Sequence, residues 1–377
     1  MFSRFHVSLL RQRISLYETG FFKSFSLGAF VVGVGNLTVG GTGKTPLVAL
    51  AAEILADAGE KVCVISRGYK RENPKTQIIV SDGERILTAN ARQAGDEPLE
   101  LARKLLGKAV VISDANRVRA AKRARETLGA TAFVLDDAFQ HLRARRNANI
   151  AVIDATNPFG NRKLLPFGSL REPLDGLKRA DAVVITRSDL VETTEIIESL
   201  RAEIRKYNSA CPIFVSTNRI SNLIEAAKFF ERNNFTANYK SSVQEREITE
   251  QIKINCAKSE NLKTVAENPK SKFLAFCGLG NPQGFFEHLR AENFDLAATE
   301  TFPDHYFYRQ SDVEKLEETA RKTGANALLT TAKDAVKLND VKFGVPCFVA
   351  ESETVFAGEN DFRGWLLAKL EDAVKRF

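Results

Sequence analysis

Lys44 and Thr45 close the run Thr38-Val-Gly-Gly-Thr-Gly-Lys-Thr45, whose residue types suit the holding of a polyphosphate. Glycines let consecutive main-chain N–H groups turn inward around an anion, and a helix starting there adds unpaired donors and partial positive charge. A lysine at that point reaches the β- and γ-phosphates, and the neighbouring hydroxyl ligates Mg²⁺. The run departs from the Walker A pattern at Thr38, where the first glycine usually stands, and it adds Gly40-Gly41; Gly43-Lys44-Thr45 is intact. Thr38, Val39, Gly40, Gly41, Thr42, Gly43, Lys44 and Thr45 are therefore the candidate nucleotide-binding set.

Two acidic pairs supply the other half of phosphoryl transfer. Asp136-Asp137 follows the apolar run Ala132–Leu135, the place where a P-loop protein keeps an acid for Mg²⁺. Vicinal residues in a strand point to opposite faces, so both aspartates serve the site only if the strand has ended; otherwise one is a turn residue. Asp96-Glu97 heads a helical stretch, as a general base for an alcohol or as an ordinary N-cap. His141 lies four residues after Asp137, placed to position the pair or to cap a loop. Arg67, Arg117, Arg143, Arg162, Lys163 and Arg171 stand at loop ends, where several on one rim would take a second anionic group and any one alone reads as a solvated charge.

Positioning these groups requires strands that end at each of them. Apolar runs at Ala29–Val34, Lys61–Ser66, Gln77–Val80, Ala109–Ile112, Ala132–Leu135, Ile150–Asp154, Ala182–Thr186 and Ile213–Thr217 alternate with amphipathic stretches at Leu47–Ala56, Leu99–Leu106 and Arg119–Leu128. That alternation predicts a doubly wound, mostly parallel α/β sheet of P-loop type, with ligands at the strand C-termini. A second, smaller α/β module starts at Phe273-Leu-Ala-Phe-Cys277 and continues through a helix at Val313–Thr323 and a strand at Ala327–Thr331. Its Gly278 and Gly280 lack the third glycine of a dinucleotide fingerprint. The expected division is an amphipathic helix over 1–28, a P-loop domain over 29–221, a linker or insertion over 222–271 and the smaller domain over 272–377.

With 377 residues, two domains are the natural expectation. A net charge of +7 suits an anionic substrate or a membrane surface and is too diffuse for nucleic acid. The cysteines at 63, 211, 256, 277 and 347 show no metal-ligand or disulfide spacing and read as reduced buried thiols. Phe2, Phe5, Leu9, Leu10, Ile14, Tyr17 and Phe21 fall on one face of a basic N-terminal helix, fit either to lie in a membrane interface or to pack on its own domain. It is neither a signal peptide nor a span, since the uncharged stretch after it is too rich in glycine for a membrane helix.

Seven motifs occur in one order: Val34–Pro46, Ser66-Arg-Gly-Tyr69, Gly95-Asp-Glu-Pro98, Asp136-Asp-Ala-Phe-Gln-His141, Leu165-Pro-Phe-Gly-Ser-Leu-Arg-Glu-Pro173, Phe302-Pro-Asp-His305 and Thr331-Ala-Lys-Asp334. In this the chain resembles the tetraacyldisaccharide 4'-kinase (lipid A 4'-kinase) family over all but roughly residues 222–271. The resemblance implies ATP-dependent phosphorylation of the 4'-hydroxyl of a tetraacylated glucosamine disaccharide 1-phosphate to lipid IVA, in lipid A (lipopolysaccharide) biosynthesis. It further implies a Mg²⁺ requirement and a peripheral position on the cytoplasmic face of the inner membrane, held by the N-terminal helix, with no obligate protein partner. On the matching positions it gives Lys44 and Thr45 the phosphate and metal roles, Asp96 that of base with Glu97 beside it, Asp136 and Asp137 the metal site, and His305 a place at the active site. Ala138 and Ala332 depart from the residues usual there, glycine and an acid. The alternative is a deviant-Walker GTPase or ATPase switch, or a metallochaperone-type protein, because Thr186-Arg-Ser-Asp189 resembles a guanine-reading motif with Arg for Lys.

Overall fold

The computed structural model describes residues 2–231, 271–356 and 361–375. Twelve strands form one sheet: β1 (Phe30–Asn36), β2 (Val62–Ser66), β3 (Ile78–Ser81), β4 (Ala109–Ser113), β5 (Ala132–Leu135), β6 (Ala148–Asp154), β7 (Ala182–Thr186), β8 (Ile213–Glu225), β9 (Phe273–Cys277), β10 (Leu296–Thr301), β11 (Ala327–Thr331) and β12 (Cys347–Phe356). Their spatial order is β10-β9-β11-β12-β8-β7-β6-β1-β5-β2-β4-β3. Neighbours run parallel except in two pairs, β3 with β4 and β8 with β12. Helices at the crossovers cover both faces, which is why β1, β2, β5, β6 and β7 are buried along their whole length.

The helices are α1 (Phe2–Glu18), α2 (Lys44–Asp57), α3 (Ala91–Ala94), α4 (Asp96–Lys104), α5 (Arg117–Leu128), α6 (Thr194–Arg205), α7 (Ala226–Glu231), α8 (Pro282–Ala291), α9 (Gln310–Thr323), α10 (Ala332–Ala335) and α11 (Phe362–Val374). The boundary expected at 221/222 falls inside β8, and residues 226–231 form α7. Asn218, Arg219, Ser221 and Asn222 read as loop; in the strand they lie less buried while Ile220 and Leu223 are buried, opposite β12. The rest of the expected linker, 232–270, and with it Cys256, lies outside the described residues.

The two lobes are therefore strands of one sheet, with β8 and β12 in register from Phe348↔Glu225 to Phe356↔Ser216. Helix α11 crosses back onto the first lobe. Its Phe362 and Trp365 rings lie 5.4 and 5.8 Å from Phe214 of β8, and Arg363 reaches Asp57 at 3.4 Å. Helix α1 docks through Val7 and Leu10 on the core under β6 and β7, and Arg11 Nε donates to Asp175 at 3.1 Å. It leaves Leu9 exposed, as are Phe21, Phe22 and Phe25 in the segment after it. Among the described residues no helix is long and apolar enough to cross a membrane. Cys63, Cys211, Cys277 and Cys347 are buried and free.

Candidate active site

The phosphate loop joins β1 to α2. Gly43 precedes the first helical residue with φ of 74°, a conformation that a side chain rarely adopts, and a Cβ there would meet Asn218 Nδ2 at 3.2 Å. The Thr186 hydroxyl, at the end of β7, donates to Thr42 O at 2.9 Å, and Val39 N donates to Ser169 O at 2.7 Å. The loop is thus braced at both ends. Lys44 Nζ lies 3.1 Å from Asn36 Oδ1 and 3.5 Å from Asp137 Oδ1. Thr38 departs from expectation: it is buried, bridges Leu170 and does not face the cavity, whose lining starts at Val39. A threonine in place of glycine fits there because the chain is still completing its exit from β1.

The vicinal aspartates diverge because β5 ends at Leu135 and Asp137 has φ of 48°. Asp136 turns toward β2, where Ser66 Oγ donates to it at 2.7 Å. Burial, with Glu97 and Asp137 near, pushes its carboxyl up to about 6. Asp137 turns toward the loop and takes Arg171 through both oxygens at 2.7 Å. Burial raises its carboxyl too, but Lys44 and Arg171 outweigh it and hold the group at about 2. Ala138 keeps negative φ and its methyl is wholly buried in the core, so no glycine is needed.

Asp96 is the first residue of α4. Its Oδ1 accepts the Glu97 N–H at 3.0 Å, and its Oδ2 lies 2.7 Å from His305 Nδ1, brought from the second lobe. Burial pushes Asp96 up, but the His305 bond and the charges of Lys333, His305 and Lys337 bring it down to about 2. His305 packs on Tyr69 with ring centres 5.2 Å apart. Lys333 spans the lobes, 3.3 Å from both Glu97 Oε1 and Asp304 Oδ1.

These groups surround a cavity of about 810 Å³. Val39 to Thr45, Glu97, Asp137 and His305 line it, whereas Asp96 and Asp136 stand behind the surface. Arg67, Arg117 and Arg171 line it too; Arg143, Arg162 and Lys163 do not. Arg162 pairs with Glu203, and Arg143 lies over Phe25. His141 faces the cavity as neutral imidazole, held down to about 3 by burial and by Arg117, Arg146, Arg13 and Arg143. Asn36, Tyr69, Lys333 and Gly280 stand in stretches that the sequence marks, but their types and spacing give none of them a role at the site. A Cβ on Gly280 would come 3.0 Å from Gly41 N, so the Gly278-Leu-Gly280 turn exists for contact with the phosphate loop and not for a second nucleotide.

A glycine-rich loop between strand and helix, faced across one cavity by an imidazole–carboxylate pair, defines the class: a P-loop phosphotransferase. The sequence profile described as LpxK, tetraacyldisaccharide-1-P 4'-kinase, matches residues 1–371. The tetraacyldisaccharide 4'-kinase of Geobacter metallireducens is 39% identical over 332 residues, covering 88% of this chain and 85% of that one. That of Desulfotalea psychrophila is 34% identical over 359 residues, 95% and 92% of the two chains. The crystal structure of LpxK from Aquifex aeolicus in complex with ATP superposes with a TM-score of 0.69 at 27% identity, covering 98% of this chain and 97% of the other. The chain belongs to the tetraacyldisaccharide-1-phosphate 4'-kinase family. The guanine-reading alternative also loses its residues, since Thr186 braces the loop and Arg187 pairs with Asp154.

Proposed function

We infer that the protein transfers the γ-phosphoryl group of ATP to the 4'-hydroxyl of a tetraacylated glucosamine disaccharide 1-phosphate, forming lipid IVA for lipid A biosynthesis. The observation that carries this reading is the meeting of phosphate loop and His305–Asp96 pair in one cavity. The loop amides and Lys44 take the β- and γ-phosphates. With its Nδ1–H given to Asp96, His305 keeps the Nε2 lone pair for the acceptor hydroxyl, and the imidazolium so formed lies between Asp96 and Asp304 Oδ2, 3.6 Å from Nε2. Asp96 thus moves from base to the residue that orients the base. Gly280 against Gly41 shuts the second lobe on the phosphates and excludes water, a rival acceptor.

Mg²⁺ fits this donor set. Among the described residues no three carboxylate, imidazole or thiolate groups are disposed to hold a metal, and Mg²⁺ on a nucleotide needs only one or two carboxylates besides phosphate and water. Asp136 is raised by burial first and then by the neighbouring Glu97 and Asp137 charges, and a cation would relieve the latter. Thr45, Asp136 and Asp137 would hold it, and its chemistry is to neutralise charge on the phosphoryl oxygens.

The enzyme sits peripherally on the cytoplasmic face of the inner membrane, with exposed Leu9, Phe21, Phe22 and Phe25 and the cation Lys23 turned to lipid. Incubation with γ-labelled ATP and the disaccharide 1-phosphate in detergent is expected to label the lipid; label released only as inorganic phosphate would sink the assignment. Phe21→Ser with Phe22→Ser is expected to cut co-sedimentation with anionic vesicles while ATP affinity holds, and equal sedimentation would reject the membrane face.

A further inference from the structure

The second lobe carries a buried ammonium that the reaction as described leaves without work. Lys337 follows α10, and none of its side chain reaches solvent. Its Nζ lies 2.9 Å from Asp334 Oδ1 and 3.7 Å from Asp96 Oδ2. A fully buried ion pair is a costly way to hold two elements together, and a well-packed neutral pair does it as well. Asp334 is already satisfied by neutral donors: Gly278 N at 3.1 Å, Thr331 Oγ1 at 2.8 Å and the Tyr308 hydroxyl at 3.0 Å. The ammonium's other neighbour is Asp96.

We propose that Lys337 is a positioning residue for phosphate transfer: its ammonium, 3.7 Å from Asp96 Oδ2, sets a positive charge against the His305–Asp96 pair and opposes protonation of that pair, which leaves His305 Nε2 free toward the cavity. This rests on the function inferred above. The chemistry turns on the tautomer. A protonated Asp96 would donate to Nδ1, the ring proton would sit on Nε2, and the imidazole would face the acceptor hydroxyl as a donor. Around Asp96 the cations are Lys333, Lys337 and His305 itself, and the anions are Glu97 and Glu100. Around His305 stand Asp96, Asp304 and the Tyr69 ring, with the Lys70 ammonium 3.3 Å from Asp304 O. Burial alone would carry Asp96 toward its neutral form. His305, Lys333 and Lys337 all come from the second lobe, so the base acquires its working charge state through contact between the lobes.

The test is the pH–rate profile of the full-length enzyme with ATP and the disaccharide 1-phosphate in detergent. Removing the ammonium makes protonation of Asp96 and His305 easier. Lys337→Met is expected to move the acid limb of kcat/KM up by about one pH unit, an opposite charge within 4–6 Å being worth that much or more. Turnover at neutral pH falls, the KM for ATP holds, and Lys337→Arg restores most of the loss. A folded Lys337→Met enzyme whose acid limb coincides with the parent's overturns the proposal. Should that variant fail to fold, Asp334→Asn decides: it keeps the side chain's shape and one accepting oxygen, removes the carboxylate that competes with Asp96 for the ammonium, and is expected to move the limb down. A limb unmoved or moved up in Asp334→Asn overturns it equally. Failure of the parent enzyme to label lipid would overturn the functional reading itself, and the proposal with it.

Discussion

The two lobes meet at one cavity and use their chains in opposite ways. In the proposed function the first lobe grips phosphate with main chain: seven consecutive residues, Val39 to Thr45, two braces, and one lysine that is held by Asn36 and Asp137. The second lobe offers single side chains, His305 from a loop and Lys333 and Lys337 from α10 and the residues just after it, each resting on a carboxylate of the first. Binding is local and contact-rich, whereas proton transfer depends on groups held from far away. Damage to the phosphate loop should therefore strike nucleotide and transfer together, and damage to the contacts that hold His305, on either lobe, should strike transfer alone.

Lys44→Ala is the severest way to press that contrast, with kcat/KM expected to fall on the order of 10³ and ATP affinity to fall with it. Steady-state kinetics and calorimetry read the two effects, and undiminished ATP binding would break the assignment of the loop. Asp96→Asn is expected to lower kcat by about 10²–10⁴ with ATP affinity retained; parallel loss of both would erase the division between phosphate loop and proton-transfer contacts. Gly280→Val pushes a side chain against Gly41 N and is expected to cost roughly tenfold in transfer, by misplacing the reacting groups, while ATP hydrolysis without transfer rises. A constant ratio of transfer to hydrolysis would show that the contact does not exclude water.

Asp136→Asn gives the smallest effect and sharpens the comparison within the first lobe. Burial, Glu97 and Asp137 raise Asp136 to about 6 from an ordinary 3.8. A carboxyl raised on folding favours the native state below its unfolded value, and that contribution is lost as pH rises through 6. Removing the charge should therefore raise the melting temperature at pH 8, by about 2–4 °C, with the gain fading toward pH 4. For Asp137, held at about 2, the sign reverses: its stabilisation is present above the unfolded value and disappears as pH falls through 2. A lower melting temperature for Asp136→Asn at pH 8 would contradict the picture of unbalanced charge.

The sequence displayed what is carried by neighbours along the chain. Strand β1, the loop and α2 follow from an apolar run, glycines and an amphipathic stretch, and the end of β5 before Asp136-Asp137 is readable the same way. Thr38 was misplaced by one loop position because the pattern marks residue types and not where the chain leaves the sheet. The far half of β8 was missed because Asn218, Arg219 and Asn222 look like a loop until β12 pairs with them. The Asp96–His305 bond joins residues 209 positions apart, and spacing carries no trace of such a contact. Here the family resemblance placed His305 at the site where periodicity could not. Lys337 carries no signal, since a single lysine between Val336 and Leu338 in an otherwise charged stretch reads as a surface residue.

The β8–β12 pairing has a mechanical consequence. A domain hung from a tether swings without resistance, but here nine paired positions stitch the lobes edge to edge. Parting them to admit a bulky lipid head means twisting or unzipping a ribbon, so traffic through the cavity is set by the elasticity of the sheet. Substitutions that stiffen or loosen that ribbon, far from any reacting atom, should change turnover as surely as those beside the phosphate.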